Sequence, residues 1–282
     1  GSTFLFGSEQ KAILEHSVAS KEIDKKALLE YFTFQNIFTD RTLLENVKLF
    51  PAATLGRICA TDDNTTLNLE QYWDYKFEEP DAVKDPREYE EELDRLLGQA
   101  LKRQLVTDVE LGSYLSGGMD SGTLTALAAK ELPYIKTFTC GFDLSSASGM
   151  ELGFDEREKA EALSALYQTE HYEMVLKAGD MERCLPKFTW HLEEPRVGQS
   201  YPNYYVAGLA SKFVKVVLSG AGGDELFAGY PWRYYRAVMN DDFEHYIDQY
   251  YGFWQRLIPN KDIQKVFTPI WDEVKDVWTR EI

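Results

Sequence analysis

Two short strings bring serine hydroxyls, closely spaced glycines and an aspartate together where the flanking residues predict strand ends. The first is Ser116-Gly117-Gly118-Met119-Asp120-Ser121; the second is Ser219-Gly220-Ala221-Gly222-Gly223-Asp224-Glu225. Glycines let a backbone approach a ligand closely. A glycine-rich turn that feeds a helix also presents unpaired N–H groups and the positive end of the helix dipole, which together bind anions. Ser116 and Ser121 add hydroxyl donors. No Gly-Lys-Ser/Thr ending and no GxGxxG spacing is present, so neither string is a Walker A loop or a dinucleotide fingerprint. An aspartate beside phosphate oxygens makes chemical sense when a divalent cation lies between them.

The elements that must position these strings read as alternating strands and helices. From Pro86 onward the pattern predicts a helix over 87–104, with Leu93, Leu96, Leu97, Ala100 and Leu101 on one stripe. A strand over 109–115, a helix over 122–130, a strand over 135–142 and a helix over 156–167 follow. Next come a strand over 171–176, helices over 181–192 and 201–213, and an apolar strand over 214–218 of the kind buried on both faces. Strands separated by helices of this length imply a parallel twisted sheet with helices on both faces. With right-handed crossovers and strand order 3-2-1-4, the first and fourth strands are neighbours. Their two loops then open into one crevice at the carboxyl edge of the sheet. In that arrangement Asp120 and Asp224 share one Mg²⁺.

The first 80 residues read as a separate small α+β portion. A strand is expected over 3–7, helices over 9–14 and 25–34, and strands over 53–59 and 66–75, with Asp62-Asp63-Asn64 as a turn. Small-residue and proline-bearing loops are expected over 145–149 and 195–199. The polar stretch from Glu78 to Pro86 marks a boundary near residue 80. Beyond Asp224 the chain is aromatic and charged, in the manner of packed helices.

Composition narrows the functional classes. With a net charge of −17, the 282-residue chain repels phosphate backbones, and no nucleic-acid partner is expected. No apolar run approaches the roughly 18 residues a membrane span needs. The three cysteines, Cys59, Cys140 and Cys184, are too few and too scattered for a disulfide framework, and read as buried thiols in a reducing cytoplasm. The histidines His16, His171, His191 and His245 show no metal-ligand spacing.

Ser116 to Ser121 matches the SGGxDS loop of the PP-loop ATP-pyrophosphatase superfamily. Together with SGAGGDELFAGY at 219–230, it resembles the glutamine-hydrolysing asparagine synthetase family. TFTCGFD at 137–143, Phe154-Asp155-Glu156 and HLEEP at 191–195 fit the same family, and FLFGSEQKAIL at 4–14 is similar to a segment of its glutaminase domain. The resemblance implies an adenine nucleotide α-hydrolase-like fold over 81–282, and over 1–80 the C-terminal part of an Ntn-type glutaminase. It also implies an ATP- and Mg²⁺-dependent ligase, in which the side-chain carboxylate of aspartate is adenylated and ammonia from glutamine then displaces AMP. By matched position, Tyr114, Ser116, Gly117, Gly118, Asp120, Ser121, Cys140, Ser219 and Gly220 would bind ATP. Asp120 and Asp224 would be the catalytic metal ligands, and a homodimer is compatible with the family.

Three departures bear on these expectations. Ala221 stands where the family carries an acid thought to handle a proton when ammonia attacks. Gly1 is not the glutaminase's N-terminal cysteine, and nothing up to Ile282 matches the family's downstream lysine-bearing helical region. The chain alone is therefore expected to be a fragment without glutaminase activity. Ala221 also keeps two other readings open: a related adenylating amide ligase, of the β-lactam synthetase or peptide-cyclase type, and a nucleotide-binding paralogue without turnover.

Overall fold

A computed structural model describes residues 3–60, 65–78, 83, 85–146, 153–195, 200–232, 235 and 242–282. The chain divides into two compact units, one of residues 1–79, 192–197 and 231–282, the other of residues 80–191 and 198–230.

The second unit is built on four strands: β3 (Leu111–Tyr114), β4 (Lys136–Phe142), β5 (Glu170–Leu176) and β6 (Val216–Leu218). All pair in parallel, in the order β5-β4-β3-β6, which is the 3-2-1-4 order expected. The register sets Gly112 opposite Lys136 on one side and opposite Val217 on the other.

Because strand side chains alternate, the sheet presents two apolar faces. On one, Leu111, Ile135 and Leu218 pack with Leu101 of α3 (Pro86–Gln104) and Ala128 of α4 (Met119–Glu131). On the other, Phe138 packs with Val206, Leu209 and Ala210 of α7 (Ser200–Ala210), and Tyr172 lies against Phe213. The helices α5 (Arg157–Tyr167) and α6 (Asp180–Leu192) complete the alternation, and the short α8 (Gly223–Leu226) follows β6. The start of α3 has a local cause: Asp85 accepts from the Arg87 N–H at 2.9 Å, and Pro86 sits at the first helical position.

β6 corrects one expectation. Its apolar run does not form a strand buried on both faces: β6 ends the sheet among the described residues, and Val216 is 40% exposed. The run 214–218 is also shorter as a strand, because Val214 closes the end of the preceding helical turn through its N–H to the Ala210 carbonyl.

In the first unit, β1 (Thr54–Ala60) and β2 (Thr65–Gln71) form an antiparallel ribbon. The helix α2 (Lys25–Phe34), capped by Asp24, contributes Leu29 to a core with Ile263, Phe267 and Val274. Those three lie in and beside α10 (Asn260–Val266) and α11 (Trp271–Val274). The preceding α9 (Phe243–Trp254) brings Tyr251 against Phe34 and Trp254 against Phe38, so these aromatics pack between elements as expected. Glu30, 1% exposed, is held by the Thr39 N–H at 2.9 Å and the Thr39 hydroxyl at 2.7 Å.

Two further expectations are corrected here. Residues 3–7 form no strand; they have no pairing partner among the described residues, and Phe6 is exposed. Only the short helix α1 (Gln10–Leu14) follows, its first two N–H groups, those of Gln10 and Lys11, donating to the Glu193 carboxylate at 2.7 Å each. Cys59 is exposed, not buried, as are most described residues of the β1–β2 ribbon; Cys140 is half-buried and Cys184 buried. The 62–64 turn and most of the expected loops at 145–149 and 195–199 lie outside the described residues. No helix among the described residues is long and apolar enough to cross a membrane.

Candidate functional site

The first glycine loop leaves β3 and enters α4. That helix begins at Met119, three residues earlier than periodicity suggests, so Asp120 and Ser121 lie in its first turn. Gly118 is the N-cap and offers no side chain, which leaves the helix N-terminus without a side-chain cap. Uncapped N–H groups of this kind are the elements of an anion site. Below the loop, Ser113 and Thr125 share a buried hydrogen bond of 2.8 Å that fixes α4 to β3.

The loop is braced from inside. The Ser121 hydroxyl accepts from the Ser116 N–H at 3.1 Å and pairs with the Ser116 hydroxyl at 2.9 Å. Gly117 has φ +78°, the left-handed region that excludes most side chains. A Cβ there would also meet the first turn of α5, lying 3.2 Å from the Ala160 nitrogen. That turn brings Lys159 to the loop, and Glu156 is its N-cap residue. Burial raises the Glu156 carboxyl above its usual range, against the opposing pull of Lys159 and Ser116.

The second loop leaves β6, the neighbour of β3, and comes down on the first. A Cβ on Gly220 would lie 2.7 Å from the Ser121 nitrogen and 3.0 Å from both the carbonyl carbon and the Cβ of Asp120. A Cβ on Gly223 would lie 2.5 and 2.6 Å from the two carboxylate oxygens of Asp120. Only glycine fits at either position without displacing its neighbour. Asp224 is the next residue in the chain. Its carboxylate lies against Gly229. Burial first, and the neighbouring Asp224 next, push the phenol of Tyr230 up to about 12, so it stays protonated.

Of the remaining expected residues, Ser219 accepts from the Ala221 N–H at 3.3 Å, and Ala221 is exposed. Tyr114 and Cys140 lie one strand apart on the α7 face, both packed against the core built on Phe138. Burial pushes the Cys140 thiol up to about 12, with Asp155 adding to the effect. It therefore remains a protonated, non-nucleophilic thiol at neutral pH. Behind it, Arg157 clamps the end of β4, donating to the Phe142 carbonyl at 2.8 Å and to Asp155 at 2.7 Å.

Sequence reasoning missed the roles of Glu156, Arg157, Lys159 and Tyr230. For Glu156 and Tyr230 the signal was their place inside strings already singled out.

The asparagine synthase family model matches residues 92–282, and that of the glutamine amidotransferase domain matches residues 1–73. The chain is 32% identical over 235 residues to a putative glutamine-hydrolysing asparagine synthetase 2 of Methanocaldococcus jannaschii, covering 82% of this chain and 43% of that protein. It is 33% identical over 230 residues to glutamine-hydrolysing asparagine synthetase 1 of Bacillus subtilis, covering 80% of this chain and 34% of that protein. The chain thus spans about two fifths or less of the length of these relatives. The chain is similar to a solved NMN synthetase from Francisella tularensis with a TM-score of 0.32 and 15% identity, covering 64% of this chain and 74% of that one. On the two domain matches and the shared identity, the chain belongs to the asparagine synthase family.

Proposed function

We propose that the chain carries the nucleotide-binding part of an ATP-dependent amide ligase. In this reading, the ligase adenylates the side-chain carboxylate of aspartate and passes the acyl group to ammonia drawn from glutamine. The observation that carries it is the meeting of the two loops, with Gly220 and Gly223 packed on Asp120 and Ser121 at the uncapped start of α4.

The donor set fits Mg²⁺. That ion takes one or two carboxylates and fills its remaining positions with phosphate oxygens and water. Asp120 supplies one carboxylate on the first loop, and Asp224 supplies the other one residue beyond the glycine that touches it. No group of three His, Cys, Asp or Glu side chains able to hold a metal exists among the described residues. The remaining positions fall to the nucleotide's own phosphates and water. When bound, Mg²⁺ neutralises charge on the pyrophosphate as it departs.

The chain's own residues do the rest. The N–H groups at the start of α4 and the hydroxyls of Ser116 and Ser121 hold the β- and γ-phosphates. Tyr114 and Cys140 shape the wall against which the AMP portion rests, while Ser219 and Gly220 border it from the second loop. The aspartate carboxylate oxygen attacks the α-phosphorus, the bond to the pyrophosphate oxygen breaks, and β-aspartyl-AMP forms. Ammonia then attacks the acyl carbon and AMP leaves. Ala221 lies on the exposed rim, where an acid would be placed to take the ammonium proton. Its lack of an acceptor favours, as a second reading, a sister ligase that activates another carboxylate.

The test is substrate-dependent exchange of pyrophosphate into ATP by the full-length protein with a panel of carboxylates. Aspartate-dependent exchange is expected. Exchange with a different carboxylate only would select the second reading, and no exchange with any would contradict adenylation.

A further inference from the structure

One stripe of α5 lies along the first glycine loop and the start of α4. A Cβ on Gly117 would collide with the Cβ of Lys159, and a Cβ on Gly122 would stand 3.2 Å from Cδ1 of Leu163. Residues 159 and 163 are one helical turn apart and share a face. The helix is anchored beside that stripe. Ala160 is fully buried, and the Arg157 side chain covers Gly141 of β4 while donating to the Phe142 carbonyl at 2.8 Å. Lys159 itself is exposed, and its ammonium group makes no hydrogen bond or ion pair among the described residues.

The helix also gives Lys159 a direction. Because α5 follows β4 in a parallel sheet, its N-terminus stands at the carboxyl edge, where both glycine loops lie. Helical side chains lean toward the N-terminus of their helix. From a Cβ lodged against Gly117, the lysine stem therefore runs over the loop toward that edge. Residues 116–121 and 219–225 contain no lysine or arginine, yet they hold Asp120, Asp224 and Glu225. Phosphates seated there meet backbone N–H groups, but no cationic side chain from either loop.

We propose that Lys159 is a binding residue of the nucleotide site, its ammonium group crossing Gly117 to the β- and γ-phosphates held at the start of α4. This rests on the reading of the first loop as the polyphosphate cradle given above, and brings a third element to it. Gly117 then serves twice: it adopts φ +78°, and its bare Cα leaves room for the base of the lysine. An ammonium–phosphate contact is charge-assisted and stronger than a neutral hydrogen bond. AMP has neither of the phosphates in question, so the contact discriminates between nucleotides.

The experiment is calorimetric binding of ATP, inorganic pyrophosphate and AMP to the full-length protein at fixed Mg²⁺, for the wild type, Lys159→Gln and Lys159→Arg. Lys159→Gln should weaken ATP and pyrophosphate binding about tenfold or more. Its AMP affinity and ligand-free thermal midpoint should match the wild type, since the side chain is exposed. Lys159→Arg should recover most of the ATP affinity. Unchanged ATP affinity in Lys159→Gln, with the wild type binding normally, overturns the inference and leaves the cradle standing. An equal loss for ATP and AMP also overturns it, because that marks a merely structural role. If the wild type binds neither ATP nor pyrophosphate, the cradle reading fails and the role of Lys159 falls with it.

Discussion

The carboxylate of Asp120 rests on the Cα of Gly223, so closely that a methyl group there would stand 2.5 and 2.6 Å from its two oxygens. One residue on, about 3.8 Å along the chain, comes Asp224. Two loops separated by about a hundred residues of sequence are therefore fitted to each other at the atoms on which the proposed chemistry depends.

Substituting the contact glycines tests that fit. Gly220→Ala drives a Cβ against the Ser121 nitrogen and the Asp120 carbonyl carbon, which are backbone and cannot rotate away. Gly223→Ala drives it into the Asp120 side chain, which can turn. Overpacking of this kind costs about 1–3 kcal/mol. Thermal unfolding should show the larger loss for Gly220→Ala. Gly223→Ala should retain more stability but lose Mg²⁺-dependent ATP binding. Equal and small effects in both variants would mean the loops are not packed as described.

A pH dependence follows from Glu156. Its carboxyl titrates above the ordinary 4.5, chiefly because burial disfavours the charged form. The folded state then holds the proton more tightly than the unfolded state. The stabilising contribution is complete below pH 4.5 and is lost as pH rises through the elevated value. Thermal midpoints of the wild type and Glu156→Gln should therefore diverge between acid and neutral pH. The wild type loses ground as pH rises, while the glutamine variant lacks that slope. Parallel curves would contradict the burial of this group beside Ser116.

Ala221→Glu tests the proton-handling argument. Residue 221 is exposed, so a longer side chain fits without displacing the core. In the full-length protein the variant should leave pyrophosphate exchange near its starting rate. It should raise amide formation by the 10²- to 10⁴-fold range of general base catalysis at most. No rise, measured as amide product per pyrophosphate released, would mean another group accepts the proton or that the acyl acceptor is not ammonia.

How much of this was legible in the sequence depended on how local the cause was. Strand order 3-2-1-4 followed from alternation and right-handed crossovers, which constrain most parallel sheets. The start of α3 was nearly explicit in Asp85-Pro86. Val216-Val217-Leu218 reads as a central strand, yet nothing local reveals which strand ends the sheet. The start of α4 at Met119 was hidden because Gly118 caps it without a side chain. Phe4 and Phe6 look like strand residues, but a strand needs a partner, and theirs is absent among the described residues.

The site divides along the same line. Ser116 to Ser121 and Ser219 to Asp224 declared themselves as strings of residue types. The approach of Glu156 and Lys159 to the first loop is made by the first turn of α5, tens of residues on. The return of Gly229 onto Asp224 runs through a left-handed alanine, a conformation no propensity would assign.

The central claim is that Asp120 and Asp224 serve one metal–nucleotide site. A double-mutant cycle on Mg²⁺-dependent ATP affinity in the full-length protein, using Asp120→Asn, Asp224→Asn and the pair, tests it most directly. If the two carboxylates act on one ion, each single substitution should remove most of the Mg²⁺ enhancement, and the pair should lose little more than either alone. Strictly additive losses, or a single variant that keeps the full Mg²⁺ enhancement, would contradict it.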